Sequence, residues 1–426
     1  MIWDGAMLAF RIQISKPLTS INWPGMAWSL AMLMQPPVCS PSRAAILTGK
    51  SPARLKLTAH IPGIGMEKYL ERKKSTTRKF IDAEITDHLP LSEVTLAEVF
   101  KQNGYRTGFF GKWHLAGEGS VLTEDGIVDQ KWHPQHQGFD INVGGCAYGM
   151  PRKSFYTPYR NGELSDGPKG EYLTDRLVEE TIHFIDHKNK APFFAYLSLY
   201  TIHTPLIPKK EIFNTEKNKY TAMIYSMDAA LGKLLRHLKE QNLEKDTLIV
   251  FTSDNGGTKT RAPLRGHKGQ VYEGGIRVPL AYHWPNHIKA GSVCNSPVAC
   301  EDFFPTLFDF LNLSYDQDSS LDGRSYARLL KGEKSWKRPI YQHFPHHRTG
   351  NSFNGSSTLR IDEWKLIWWH EANNFELFNL KSDLGEKNNV AEQYPERVTS
   401  MNQQLQTWLK KVDANPPRSN PFYQTN

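Results

Sequence analysis

Hydrophobic and polar positions along this chain follow two periods in turn. Over residues 91–104 the apolar Leu96, Val99 and Phe100 stand at helical spacing, and Gly104 follows as a C-cap. Residues 107–110 form a short apolar run that predicts a strand, and it leads into Gly111-Lys112-Trp113-His114. Residues 174–185 return to helix, with Leu177, Val178, Ile182 and Ile185 on one face. Residues 192–200 predict a buried strand running into Thr201-Ile202-His203, and residues 220–239 a second amphipathic helix. A third strand over 247–252 ends at Ser253-Asp254-Asn255-Gly256-Gly257. This alternation predicts an α/β unit with a largely parallel sheet flanked by helices. Ligand sites in such sheets form beyond the carboxyl ends of the strands. Lys112, His114, His203, Asp254 and Asn255 are therefore expected to converge.

After residue 334 the pattern changes. Short alternating stretches over 339–344, 358–361, 364–369 and 375–379 predict a small antiparallel sheet, and a helix over 396–412 can pack on it. These signals divide the chain into a catalytic unit over 36–334 and a smaller C-terminal subdomain over 335–426. Residues 1–35 fit neither.

With 426 residues the chain is too long for one small core. Its 39% hydrophobic and 23% charged residues describe a globular protein. No run of 18 apolar residues is present, so no membrane span is expected. The net charge of +8 favours anionic partners. There is no nucleic-acid motif and no run of five basic residues, so no nucleic-acid partner is expected. Four cysteines are too few for a disulfide scaffold. Cys294 and Cys300 can pair or stand as buried thiols.

Cys39 stands apart. It opens Cys39-Ser40-Pro41-Ser42-Arg43, and the apolar Ala44-Ala45-Ile46-Leu47-Thr48-Gly49-Lys50 follows. This places Cys39 near a helix N-terminus, where an anion is favoured. The segment resembles the signature of the formylglycine-dependent type I sulfatases. In that family the cysteine becomes formylglycine through a formylglycine-generating enzyme, and its hydrated aldehyde is the nucleophile. Further segments extend the resemblance. Gly111-Lys112-Trp113-His114 is similar to the family's sulfate-binding segment, which implies that Lys112 holds sulfate and His114 contacts the formylglycine hydroxyls. Tyr200-Thr201-Ile202-His203-Thr204-Pro205 implies His203 as general acid at the ester oxygen. Gly266-His267-Lys268-Gly269, with Glu273-Gly274-Gly275-Ile276-Arg277, implies Lys268 as a second sulfate ligand. Arg43 is implied to stabilise the hydrated aldehyde. Alone, Asp254-Asn255-Gly256 is a common turn; within the resemblance, Asp254 and Asn255 join position 39 as ligands of Ca2+. His267, His343, His346 and His347 receive no role.

The resemblance implies an alkaline-phosphatase-like mixed sheet. It also implies hydrolysis of sulfate esters on a sulfated sugar or polysaccharide, nearest to N-acetylgalactosamine and galactan sulfatases. The family form is expected in the periplasm or secreted, although residues 1–10 carry no signal-peptide pattern. Phosphonate monoester hydrolases and phosphodiesterases of the same superfamily share the cysteine motif and are the enzymatic alternative. A non-catalytic binder of sulfated glycans is the alternative of a different class.

Residues 1–35 depart from the family. Its first strand ends in a metal-binding Asp-Asp pair, yet Asp4 is the one acidic residue here. Back-translated and read from the third base, residues 16–26 can give Thr-Pro-Asn-Ile-Asp-Lys-Leu-Ala-Arg-Asp-Gly, which is the family's pattern, and Met1 gives Asp. A frame shift corrected near Pro36 is thus expected, with loss of the first strand and two carboxylate ligands from the chain as it stands.

Overall fold

The computed structural model describes residues 2–4, 28–62, 71, 75–117, 122–123, 126–127, 130–188, 191–315, 320–333, 336–347 and 355–424. The first half contributes β1 (Ile2–Asp4), β2 (Trp28–Met34), α1 (Cys39–Thr48), α2 (Leu96–Gln102), β3 (Arg106–Gly111), β4 (Ile141–Val143), α3 (Leu173–Ile185) and β5 (Phe193–Ser198). The second half contributes α4 (Lys219–Glu240), β6 (Ile249–Asn255), β7 (Arg277–His283), β8 (Val293–Cys294), β9 (Val298–Ala299) and α5 (Phe303–Leu311). The chain closes with β10 (Ile340–Phe344), β11 (Ser356–Ile361), β12 (Trp364–Trp369), β13 (Asn374–Asn379) and α6 (Pro395–Lys411).

Three sheets carry the architecture. The first runs β1-β6-β7-β2-β8, with β9 also beside β2. It is mixed: β1 is parallel to β6, β7 is antiparallel to both β6 and β2, and β8 and β9 are parallel to β2. The second, β4-β3-β5, is all parallel. The third is an antiparallel meander, β10-β11-β12-β13.

Local chemistry explains most boundaries. The α2 helix begins later than its periodic pattern because Thr95 and Glu98 form a capping box there. The α3 and α4 helices bury Leu177, Val178, Ile182, Met223, Met227 and Leu231 in one cluster with Phe110 and Leu197 of the parallel sheet. A second cluster joins Ala44 and Leu47 of α1 to Phe109, Val278 and Phe303. On the meander, Met401 and Leu405 of α6 cover Leu359, Leu366 and Leu377, and Trp408 stacks on Tyr341 at 4.8 Å. Arg338, just after the subdomain boundary, pairs with Glu301 at 3.0 Å and with Asp302, tying the meander back to the first sheet.

Several expectations are revised. The strand at 247–252 continues to Asn255, so Asp254 and Asn255 end a strand and do not form a turn. The strand at 192–200 stops at Ser198, leaving His203 in the following loop. Residues 28–34, grouped above with a segment outside the fold, form β2 in the first sheet. The strand expected to be lost is present in short form: β1 lies beside β6, with Asp4 in backbone register with Asn255. The remaining frame-shifted positions, 1 and 5–27, lie outside the described residues. Cys294 and Cys300 are unpaired buried thiols, as are Cys39 and Cys146.

Candidate active site

The site starts from α1. All ten of its residues are buried, so this helix is enclosed on every side. Cys39 is its first residue, after Val38, whose extended backbone offers no side-chain cap. The first-turn N–H groups therefore face the site with their partial positive charge. Arg43 stands four residues on and so shares the Cys39 face.

Arg43 draws four elements together. Its Nε and Nη2 donate to Asp254 Oδ2 at 3.0 and 2.7 Å, while Nη1 donates to the Lys112 carbonyl at 2.6 Å and to Ser198 Oγ at 2.7 Å. Ser198 Oγ in turn donates to the same Lys112 carbonyl at 2.7 Å. The ends of β3, β5 and β6 thus meet over α1, as the strand pattern predicts. Arg43 makes these contacts with protein groups, whereas the sequence placed it on the aldehyde. Ser198 was missed. Its signal was weak, since it lies inside the predicted strand over 192–200 and only the structure ends that strand at Ser198.

Lys112 Nζ lies 3.6 Å from Asp254 Oδ2, is buried, and has no hydrogen-bond partner among the described residues. Burial by itself would raise the Asp254 pKa. Lys112 first, then Arg43 and Lys268, outweigh burial and hold this carboxyl well below the usual range. It is an anion throughout the working pH range, and the cations around it outnumber it.

His114 Nδ1 lies 3.2 Å from Cys39 Sγ, and Nε2 lies 2.9 Å from the Ile61 carbonyl. The carbonyl can only accept, so Nε2 carries the proton and Nδ1 is free to accept. Burial, then Lys112, push the His114 pKa down to about 3, with smaller contributions from Arg43 and Lys268, against the bond to Ile61. The ring is therefore neutral at neutral pH. Gly149 packs on it so closely that a Cβ there would lie 2.3 Å from the His114 ring, so a side chain at 149 would displace the histidine.

Lys268 is half-buried. Its backbone N–H donates to the Gly257 carbonyl at 2.7 Å, next to the Asp254 strand end, and its charge acts on both Asp254 and His114. Cys39, Arg43, Lys112, His114, Asp254 and Lys268 are thus brought together. His203 follows β5 and is half-buried, with Nδ1 2.9 Å from the Thr204 carbonyl, a local contact.

The donor set can be tested against calcium. Asp254 Oδ1 is buried without a hydrogen-bond partner among the described residues, which suits a cation. Among the described residues no group of three or more His, Cys, Asp or Glu can hold a metal. Calcium takes roughly six to eight oxygens. Asp254 and Asn255 therefore fit it in kind, and fall short in number among the described residues.

The histidines without a role support the scaffold. His267 Nδ1 lies 3.1 Å from the Lys268 carbonyl, and His346 Nε2 2.7 Å from Thr58 Oγ1. His347 Nε2 lies 3.9 Å from Glu371. His343 lies 2.7 Å from Ser357 Oγ and 2.9 Å from the Asn415 carbonyl. Burial lowers the His343 pKa from 6.5 to about 4. Between those values the unfolded chain binds a proton that the folded chain does not. Its contribution to stability is whole above about pH 6.5 and is lost as pH falls toward about 4. Melting temperature measured across this range should fall less steeply for His343→Gln than for the parent.

Comparison with known proteins places this geometry. The family model named Sulfatase matches residues 32–313, and the model of the N-sulphoglucosamine sulphohydrolase C-terminal region matches residues 267–415. The uncharacterized sulfatase YdeN of Escherichia coli is 28% identical over 441 residues, covering 90% of this chain and 74% of that protein. N-acetylgalactosamine-6-sulfatase of Mus musculus is 28% identical over 382 residues, covering 83% and 67%. The crystal structure of Ps i-CgsB in complex with k-i-k-neocarrahexaose superposes with a TM-score of 0.77 at 26% identity, over 100% of this chain and 94% of that one. The fold is the alkaline-phosphatase-like one of these enzymes, with its mixed sheet and C-terminal antiparallel subdomain. The model for sulfatases spans well over half of the sequence, and the chain belongs to this family of sulfuric ester hydrolases.

Proposed function

We propose that this protein hydrolyses sulfate esters on a sulfated sugar or polysaccharide, with a formylglycine made from Cys39 as nucleophile. The observation that carries the reading is the contact of Cys39 Sγ with His114 Nδ1 at 3.2 Å, beside the buried Lys112 ammonium, which has no hydrogen-bond partner among the described residues. The Cys39 thiol stands where the formylglycine oxygen would be. Formylglycine supplies two hydroxyls on one carbon, one for attack on sulfur and one for release of sulfate.

The chain's own residues do the rest. Neutral His114, with Nδ1 free, accepts the proton from the group at position 39. Lys112 and Lys268 neutralise the sulfate oxygens as charge moves onto them, the largest kind of catalytic contribution in a closed site. Arg43 holds Asp254 and the end of β3, so that Lys112 keeps its place. His203 gives a proton to the leaving oxygen. Asp254 and Asn255, with position 39, would hold Ca2+, which would polarise the sulfate. The sugar class is supported by relatives named for N-acetylgalactosamine 6-sulfate and by a neighbour solved with a carrahexaose. Maturation calls for a formylglycine-generating enzyme, and the family form works in the periplasm or outside the cell. No described helix is long and apolar enough to cross a membrane.

The test is mass spectrometry of the Cys39 peptide from a host with a formylglycine-generating enzyme. Conversion of the thiol to the aldehyde is expected, together with sulfatase activity. Activity on a sulfate ester with the thiol wholly unconverted would refute the nucleophile.

A further inference from the structure

Three buried charges lie outside the site and yet connect to it. Glu273 and Glu386 have no exposed surface, and Lys365 has 1%. Lys365 Nζ, on β12 of the meander, donates to Glu273 Oε1 at 3.1 Å and to Glu386 Oε1 at 2.7 Å. The backbone N–H of Glu273 donates to Glu386 Oε2 at 2.7 Å. Arg360 of β11 adds a contact to Glu273 Oε2 at 3.4 Å. A buried ion cluster of this kind contributes little net stability relative to apolar packing of the same volume. What it supplies is a fixed geometry.

That geometry concerns the loop over 265–276. The loop carries Lys268 and closes on itself, with Gly274 N–H donating to the Arg265 carbonyl at 2.7 Å. Gly275 allows the closure, since a Cβ there would lie 2.0 Å from the Gln270 carbonyl oxygen. One side of the loop touches the site. Lys268 N–H reaches the Gly257 carbonyl, Gly269 N–H reaches the Pro37 carbonyl at 2.7 Å, and Gly256 N–H reaches the Gly275 carbonyl at 2.9 Å. The other side is held by the C-terminal subdomain. Arg265 Nη1 donates to the Glu386 carbonyl at 2.8 Å, and Tyr272 Oη to Glu376 Oε2 at 2.7 Å. Among the described residues, these outer anchors lead to the stretch between Arg360 and Glu386, while Arg277 of the first sheet adds a longer contact to Glu273 at 3.8 Å.

We propose that Glu386 is a positioning residue for Lys268: with Lys365 and Glu273 it lets the C-terminal sheet hold the loop that presents Lys268 to sulfate. The inference rests on the reading of Lys268 as a sulfate ligand. It assigns the C-terminal subdomain a part in sulfate recognition without any contact to sulfate. Glu386→Gln keeps the size of the side chain and removes a carboxyl whose pKa burial raises to about 7, so the titration is run above that pH. Lys365 then faces one carboxylate in place of two, and the single amide oxygen can accept from the Glu273 N–H or from Lys365, not from both.

The test is calorimetric titration of inorganic sulfate into the purified full chain with Cys39 kept as the thiol, so that turnover plays no part. Lys268→Ala should weaken binding about tenfold, the loss of one charge-assisted contact. Glu386→Gln and Lys365→Met should each weaken it by roughly three- to tenfold, and neither should add to Lys268→Ala, since both act through that lysine. Lys365→Arg should keep the parent affinity. If Glu386→Gln lowers the melting temperature and leaves sulfate affinity unchanged, or if its effect adds fully to that of Lys268→Ala, the inference is overturned and Lys268 keeps its role. If Lys268→Ala binds as the parent does, or the parent binds no sulfate, the reading of Lys268 falls and the inference with it. Should Glu386→Gln fail to fold, Tyr272→Phe takes its place. It removes one outer anchor, and it should weaken sulfate binding in the parent and not in Lys268→Ala; an unchanged affinity overturns the inference.

Discussion

Lys112→Ala is expected to lower kcat/KM on a sulfate ester by about 10²–10³-fold, the effect of removing one preorganised charge donor from a closed site. Lys112 is suited to that part because its ammonium is buried and has no hydrogen-bond partner among the described residues. Its nearest anion is Asp254 Oδ2 at 3.6 Å, beyond hydrogen-bond range. An incoming sulfate would complete its coordination at little cost, since the lysine is already dry. The loss should appear mainly in kcat if the lysine acts as charge develops, and mainly in KM if it only binds the ground state. A variant that turns over at the parent rate would place the sulfate elsewhere. The melting temperature, read in parallel, separates this effect from unfolding.

Arg43→Met is expected to destabilise the fold by about 3–5 kcal/mol, because it leaves a buried carboxylate short of its main partner. Arg43 makes two of its bonds to Asp254 Oδ2 and the others to the Lys112 carbonyl and Ser198 Oγ. Lys112 and Lys268 remain near Asp254, so the carboxyl should stay ionised while losing its geometry. Arg43→Lys should recover little, since an ammonium lacks the planar fork that reaches three elements at once. Urea denaturation measures both. Asp254 adds a sign to this: its folded pKa lies below its unfolded one, so its stabilisation is present above about pH 3.8 and is lost in stronger acid. In Arg43→Met the folded pKa moves up toward the unfolded one, so the acid loss should be smaller and should end at a higher pH. Near-parent stability in Arg43→Met would mean that Asp254 draws its compensation from elsewhere.

Much of this was legible in the residues. The strands at 107–110 and 192–200, the helices at 174–185 and 220–239, and the four-stranded meander all lie close to their predicted positions. Their signals are local, since the period of apolar residues depends on neighbours only a few positions away. The convergence of the candidate residues could be read for the same reason, while the roles given to them rest on the resemblance. Cys39 and Arg43 share a helix face by spacing alone, and Lys112, His114 and Asp254 each follow a predicted strand. His203 makes a local contact to the Thr204 carbonyl, and its assignment, like that of the others, rests on the resemblance.

Sequence by itself determined the strongly periodic helices and strands and pointed to the short motifs that resemble known chemistry. Tertiary structure alone decided what those motifs touch. Arg43 meets Asp254 across 211 positions, and Lys365 meets Glu273 across 92. No periodicity encodes such a separation. The same limit explains β7. Its apolar pattern fits a parallel or an antiparallel strand equally well, and only its register against β6 and β2 shows that it runs against both. It explains β2 as well, whose residues read as misplaced until neighbours on either side of it paired with their backbone. Hydrophobic pattern is a property of the chain. Partner, register and the burial that sets a pKa belong to the space the chain encloses, and they exist only once distant segments have been brought within a few ångströms of one another.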